Sequence, residues 1–313
     1  MNRSIIIEEA GLLSTVQDLG RTGFQQYGMP VGGAMDSLSL QLANMLVGNP
    51  RGAACVEATL SGPQIRFVGT ARFAICGADL QPMLNHQTVQ NNRMYSASDG
   101  DRLSFQGRKS GFRTYISISG GLNVDQLMGS RSTLLTAGLG GFKGRPLQAG
   151  DTIPLSDDGF CRPVTNIPAF LFYENNRQKT ISIMPGPEIH YFGFDAIKTL
   201  LTAEFTISSG SNRMGYRLEG VRIPPLEGKG DIISSAVPAG TIQVPSGGYP
   251  IVMMAERQTT GGYPRIAVVA GVDLPFLSQM MPGESVRFSE IKLHKAIERL
   301  CEIKKQLQKL CPL

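Results

Sequence analysis

Beyond one early helix, the chain runs as short strand-like segments cut by turns, at 64–67, 72–75, 102–105 and 114–118. Apolar runs this short, at this spacing, favour a β sandwich or barrel over a doubly wound α/β domain. Turn formers are plentiful, with 37 glycines and 19 prolines among 313 residues. Three turns share one shape, a glycine and an acid leading into a strand: Gly100-Asp101, Gly150-Asp151 and Gly283-Glu284. Their distribution suggests two similarly built halves. The early helix is predicted to start at Asp36, an N-cap type, and to end before Gly48-Asn49-Pro50. Leu38, Leu42, Met45 and Leu46 recur within it at helical spacing.

At roughly 100–200 residues per domain, the length accommodates two domains. Asp157, Asp158, Gly159, Pro163 and Asn166 interrupt the strand pattern, which sets domains at 1–160 and 168–313. In the second, 180–184, 204–207, 241–244, 251–255 and 266–269 read as strands and 195–201 as a short helix. Ser289 is placed to cap a final amphipathic helix carrying Leu293, Ala296, Ile297, Leu300, Ile303, Leu307 and Leu310. Its mixed charges and its lack of Trp or Phe point to packing on the body or on a partner chain, not to a membrane anchor.

Several function classes are disfavoured by what the chain carries. The net charge is +5, but seven Lys/Arg against three acids between 287 and 313 account for +4 of it. The upstream chain is therefore nearly neutral and offers no basic groove to nucleic acid. Cys55, Cys76, Cys161, Cys301 and Cys311 are scattered without a CxxC pair, and His86, His190 and His294 lie far apart. Reduced thiols and no metal site follow as expectations. Residues 1–11 lack the pattern of a signal peptide and no apolar run would span a bilayer, so a cytoplasmic protein is expected. Walker, GxSxG and HExxH motifs do not occur, and Lys143 stands where GxGxxG would need a glycine after Gly138 and Gly140. Chemistry here would rest on carboxylates, arginines and backbone amides.

Three longer motifs carry a resemblance. The first is Gly-Leu-Leu-Ser-Thr-Val-Gln-Asp-Leu-Gly-Arg at 11–21, followed by Gly-Ala-Met-Asp at 33–36. The others are Ser-Asn-Arg-Met-Gly-Tyr-Arg-Leu-Glu-Gly at 211–220 and Gln-Thr-Thr-Gly-Gly-Tyr-Pro-Arg-Ile at 258–266; Gly-Ser-Arg-Ser-Thr at 129–133 fits the same pattern. With these the chain resembles the biotin-dependent carboxyltransferase/allophanate hydrolase subunit 2 (KipA) family, whose bacterial members include the C subunit of 5-oxoprolinase (PxpC). The resemblance implies a mainly β chain of two cyclophilin-like β-barrel domains with a few short helices. It also implies work in a complex. Family members join a KipI-like B subunit (PxpB) and an A subunit (PxpA) in ATP-dependent opening of 5-oxoproline to glutamate. A lactam is a poor electrophile, so ATP is expected to phosphorylate its carbonyl oxygen before water attacks. Two rival activities come with the family: carboxyl transfer to urea or another amide from a biotin carrier, and non-enzymatic binding of a KipI-like partner.

The motifs supply the candidate site. Asp36 is either a helix cap or a catalytic carboxylate at the mouth of the first barrel. Arg21 offers a planar fork to an anion, unless it and Asp18 only tie a turn together. Glu57, after the helix–strand junction, reads as structural. Arg213, Arg217 and Glu219 alternate, so an extended strand would put them on one face as an anion-binding edge or as a cross-strand ion network. Asn212 and Tyr216 would add hydrogen bonds. At 258–265 a hairpin end is sufficient explanation for Gly261 and Gly262, whose amides could also cradle an oxyanion. Gln258, Thr260 and Tyr263 stand beside it as catalytic candidates, and Arg265 could meet a carboxylate. Arg213, Arg217 and 258–265 are expected to share one cavity.

Overall fold

The computed structural model describes residues 3–156, 162–173 and 180–311. The interruption at Asp157, Asp158 and Gly159, and Cys161, lie outside these. Two compact units form: one of Met1–Thr22, Gly32–Asn175 and Lys305–Leu313, the other of Gly23–Val31 and Asn176–Lys304. The chain is mainly β, as the turn spacing requires.

In the first unit one sheet runs Thr152–Pro154, Ser4–Glu9, Gln64–Val68, Arg102–Phe105, Pro82–Leu84 and Gln87–Thr88. A second runs Leu13–Gln17, Cys55–Thr59, Ser110–Ile118, Ala71–Asp79 and Met94–Ala97. Alternating residues from both, among them Ile5, Ile7, Ile65, Phe67, Phe73 and Ile75, build one apolar core. Helix α1 (Ser37–Val47) packs on Ala71–Asp79 and Ser110–Ile118. Asp36 caps it with both oxygens, accepting from the Ser39 amide at 2.9 Å and the Ser39 hydroxyl at 2.6 Å, and Gly48 ends it in the left-handed conformation.

The second unit closes into a barrel in the order Thr180–Pro185, Arg265–Val269, Thr241–Gln243, Ile251–Met253, Gly215–Glu219, Phe205–Ile207 and Ser285–Glu290. The parallel pairing of Thr180–Pro185 with Ser285–Glu290 completes it. Outside the barrel, Ser235–Ala236 and Thr260–Gly261 form a separate two-stranded ladder. Helices α2 (Phe194–Thr202) and α3 (Leu274–Ser278) follow in chain order.

The three glycine–acid turns behave alike. Gly100, Gly150 and Gly283 have φ of +85°, +88° and +87°, a region open chiefly to glycine, and each launches a strand. The expected cap at Ser289 is a correction. Ser289 lies inside the last barrel strand opposite Ser182, and helix α4 begins at Leu293 (Leu293–Leu310). Ladder bonds that close the barrel outweigh one capping bond. On α4, Ala296, Leu300 and Ile303 pack with Ala270, Val272 and Met184, and Leu307 is buried. Leu293 and Ile297 are exposed, so the apolar stripe is only partly used. No described helix is long and apolar enough to cross a membrane.

Candidate functional site

The first-unit candidates turn inward. Asp36 is 2 % exposed with both carboxylate oxygens on the cap, which leaves it no open base position. Arg21 is 1 % exposed and donates to the Ser132 carbonyl, so the expected open anion fork is instead a buried tie. Asp18 takes the Gly20 amide (2.7 Å), the Arg131 amide, and the Ser130 and Ser132 hydroxyls, which joins the 11–21 and 129–133 motifs through one carboxylate. Strand register sets Glu57 opposite Thr15 on one side and Tyr115 on the other. Its Oε2 accepts from the Tyr115 hydroxyl at 2.7 Å and the Met35 amide at 2.9 Å; Tyr115 accepts from the Asp36 amide at 2.7 Å. Burial pushes the Tyr115 phenol up, and the chain of bonds holds the 35–36 turn at the head of α1.

In the second unit the expected anion edge divides. Arg217 and Glu219 do share the outer face of Gly215–Glu219. Arg213 precedes that strand and is buried, its Nε 2.5 Å from Glu256 Oε1. A main-chain bond from the Glu256 amide to the Arg213 carbonyl (2.8 Å) ties the same two residues. Tyr216 points into the core, its hydroxyl within 3.2 Å of the Met280 carbonyl, and Asn212 accepts from the Met214 amide in a local turn. Arg217 and Glu219 line a groove of about 630 Å³ with Ser208, Tyr249 and Pro250. That groove has no residue in common with the cavity at Gln258. Among the described residues, Arg217 and Gln258 thus line separate cavities.

The 258–265 stretch also departs from a simple hairpin end. Thr260–Gly261 pairs with Ser235–Ala236, with Gly261 buried opposite Ser235, and the Gly262 carbonyl accepts from the Ile232 amide at 2.8 Å. The ladder engages the backbone at Gly261, and Gly262 joins the Ile232 segment through its carbonyl. Arg265 is forked onto Glu188, Nε to Oε2 and Nη2 to Oε1 at 2.6 Å each, and its Nη1 donates to the Ala236 carbonyl. That fork is not open to a ligand carboxylate. The Arg265 guanidinium holds the Glu188 carboxyl below its ordinary value. The stabilisation from this pair is expected to be complete above the ordinary glutamate value of 4.5 and to fade as the pH falls through the lower folded-state value. In Glu188→Gln the acid limb of a melting-temperature profile loses this component; an unchanged limb would contradict it.

What does open beside Gln258 is a cavity of about 290 Å³. Arg257, Gln258 and Thr259 form one wall, Ala236, Val237 and Pro238 another, and Gln25, Pro30 and Val31 reach it from an early segment of the same unit. The sequence does not single out Arg257, which lies one residue outside the 258–266 motif. Glu256 beside it turns to Arg213, and successive side chains point apart. Arg257 donates from Nε to the Val237 carbonyl (2.9 Å) and from Nη1 to the Met254 carbonyl (3.2 Å). Burial lowers its pKa, with no carboxylate contributing. Gly261 sits directly behind: a Cβ there would lie 2.6 Å from the amide nitrogens of both Gln243 and Gln258. Gly261→Ala is expected to fold, since flexible side-chain ends can yield, at a cost of about 1 kcal/mol. Thermal unfolding measures that cost, and an unchanged midpoint would show that the two carboxamides yield freely.

A barrel that holds a guanidinium and a carboxamide beside a small, half-apolar cavity has the make-up of a small-molecule-binding domain. The chain belongs to the family of the carboxyltransferase domain, subdomain A and B, which it matches over residues 27–290. It is 36% identical over 292 residues to the 5-oxoprolinase C subunit of Escherichia coli, covering 93% of each chain. Against the 5-oxoprolinase C subunit of Haemophilus influenzae it is 35% identical over 286 residues, 90% of each. The solved urea amidolyase of K. lactis matches 98% of this chain with a TM-score of 0.93 and 28% identity, but only 20% of that longer chain is involved. Among the described residues no three His, Cys, Asp or Glu side chains gather as a metal site would.

Proposed function

We propose that this chain is the C subunit of an ATP-dependent 5-oxoprolinase, opening 5-oxoproline to L-glutamate with a KipI-like B subunit (PxpB) and an A subunit (PxpA). Coverage carries the reading. The similarity to two 5-oxoprolinase C subunits runs nearly end to end in both chains, whereas the likeness to urea amidolyase takes up a fifth of that protein. The cavity's single guanidinium, carboxamide and apolar walls suit a small amide bearing one negative charge. Gln258, with Thr260 and Tyr263 exposed nearby, would meet the substrate there. Free, scattered cysteines among the described residues suit a reducing cytoplasm.

ATP would be held elsewhere in the complex or between subunits, and the glycine-rich loop of this chain does not suit a triphosphate. A Cβ on Gly140 would lie 2.2 Å from the Ser132 carbonyl and one on Gly141 1.9 Å from the Thr133 hydroxyl, so the loop is packed against its own unit. The test is ATP-dependent glutamate release by the purified chain, alone and with its A and B partners. Activity only on reconstitution supports the proposal; no gain on reconstitution overturns it. Carboxylation of urea that requires a biotin carrier would move the assignment to the carboxyltransferase reading. Partner binding without any catalysis would move it to a regulator of a KipI-like protein.

A further inference from the structure

Arg257 lines the cavity at Gln258, and no described carboxylate pairs with it. Its neighbours Arg213 and Arg265 are each held by a carboxylate, Glu256 and Glu188 respectively. Arg257 is held by main-chain carbonyls through Nε and Nη1, and Nη2 has no acceptor among the described residues. No described carboxylate is bonded to it. Carbonyl dipoles fix the plane of a guanidinium without neutralising it, so the remaining edge is both oriented and unbalanced in charge. Partial desolvation strengthens its attraction for an anion. A guanidinium presents paired donors that match the two oxygens of a carboxylate.

We propose that Arg257 binds the carboxylate of a small monoanionic substrate in this cavity, with Gln258 reading the substrate's amide. One cation balances one negative charge, which favours a monocarboxylate over a phosphate group. The volume admits a molecule of few heavy atoms, and Val31, Val237 and Pro238 offer apolar contact to a ring's methylene edge. Gln258 supplies one donor and one acceptor type, the complement of an amide N–H and C=O. Only the choice of 5-oxoproline as ligand rests on the function proposed above.

The test follows the Arg257 Nε–H resonance in the full chain, assigned by its loss in Arg257→Lys. Formate, 5-oxoproline and its uncharged carboxamide are titrated separately. Both carboxylates are expected to shift the resonance, 5-oxoproline at concentrations at least tenfold lower than formate, and the carboxamide to leave it in place. Arg257→Met should weaken 5-oxoproline binding by tenfold or more without changing carboxamide binding, while Arg257→Lys, which retains the charge should the Met variant fail to fold, loses less. If formate acts but 5-oxoproline has no advantage over it, the anion site stands and the proposed substrate falls. If no carboxylate moves the resonance, or a folded Arg257→Met or Arg257→Lys variant keeps full affinity with no change at all, the inference is overturned. A reconstituted complex that turns over no 5-oxoproline, with Arg257 still responding to carboxylates, would count against the function alone.

Discussion

Glu256→Leu is expected to destabilise the second unit by about 3–5 kcal/mol, because it strands a buried guanidinium. Arg213 and Glu256 have side chains 6% and 2% exposed, so water can replace neither partner. Arg213→Met should cost a similar amount by stranding the carboxylate. The informative variant combines the two. A buried ion pair replaced on both sides by apolar groups is often neutral, so Arg213→Met/Glu256→Leu should recover most of the loss. Urea unfolding followed by circular dichroism measures all three. Additive losses in the double variant would mean that the charges matter individually and not as a pair. The pair also bears on the site, since the Glu256 side chain anchors the residue next to Arg257 and so fixes where that guanidinium begins.

Asp18→Ala is expected to destabilise the first unit by about 3 kcal/mol or more. The carboxylate gathers two amides and two hydroxyls. Each donor left buried without an acceptor costs roughly 1–3 kcal/mol, and relaxation recovers part of the total. Asp18→Asn should be nearly as harmful, because one face of the carboxamide presents N–H groups to donors. Ser130→Ala and Ser132→Ala, which each remove a single hydroxyl, should cost about 1 kcal/mol. Equal losses for the serine variants and Asp18→Ala would show that Asp18 is not the hub. Thermal unfolding of the four variants is sufficient to compare them.

Much of the fold was legible in the chain. Helix α1 runs from the residue after Asp36 to the one before Gly48, because cap, apolar spacing and stop are all local signals. The glycine–acid turns were legible for the same reason: a positive φ is a property of one residue. Strands were recovered within a few residues, with 72–75 lengthening to Ala71–Asp79 once both neighbours paired with it. Ser289 misled, since a capping side chain says nothing about a strand partner lying a hundred residues away.

The candidate site was legible as a neighbourhood and not as an arrangement. The 258–266 motif does border the cavity, through Gln258. Which guanidinium would be available could not be read. The motifs single out Arg213, Arg217 and Arg265 as anion binders and pass over Arg257, which lies one residue before the 258–266 motif. Burial and partner geometry separate them: Glu256 takes Arg213, Glu188 takes Arg265 from seventy-seven positions away, Arg217 faces another groove, and main-chain carbonyls hold Arg257. Gly261 likewise resembles turn punctuation in the sequence, yet its reason is two glutamine amides from separate segments.

By itself, then, the order of residues determined the strand-and-turn character, the ends of α1, the near-neutral body with its basic tail, and the family resemblance. Each rests on interactions between near neighbours or on composition. Tertiary structure alone decided that residues 23–31 join the second unit, that the barrel closes through a parallel pair, and that main-chain carbonyls hold Arg257 where a carboxylate holds Arg213 and Arg265. Those outcomes depend on which charges and backbone groups meet after the chain has doubled back, where a single competing carboxylate changes a ligand-binding residue into a buried brace.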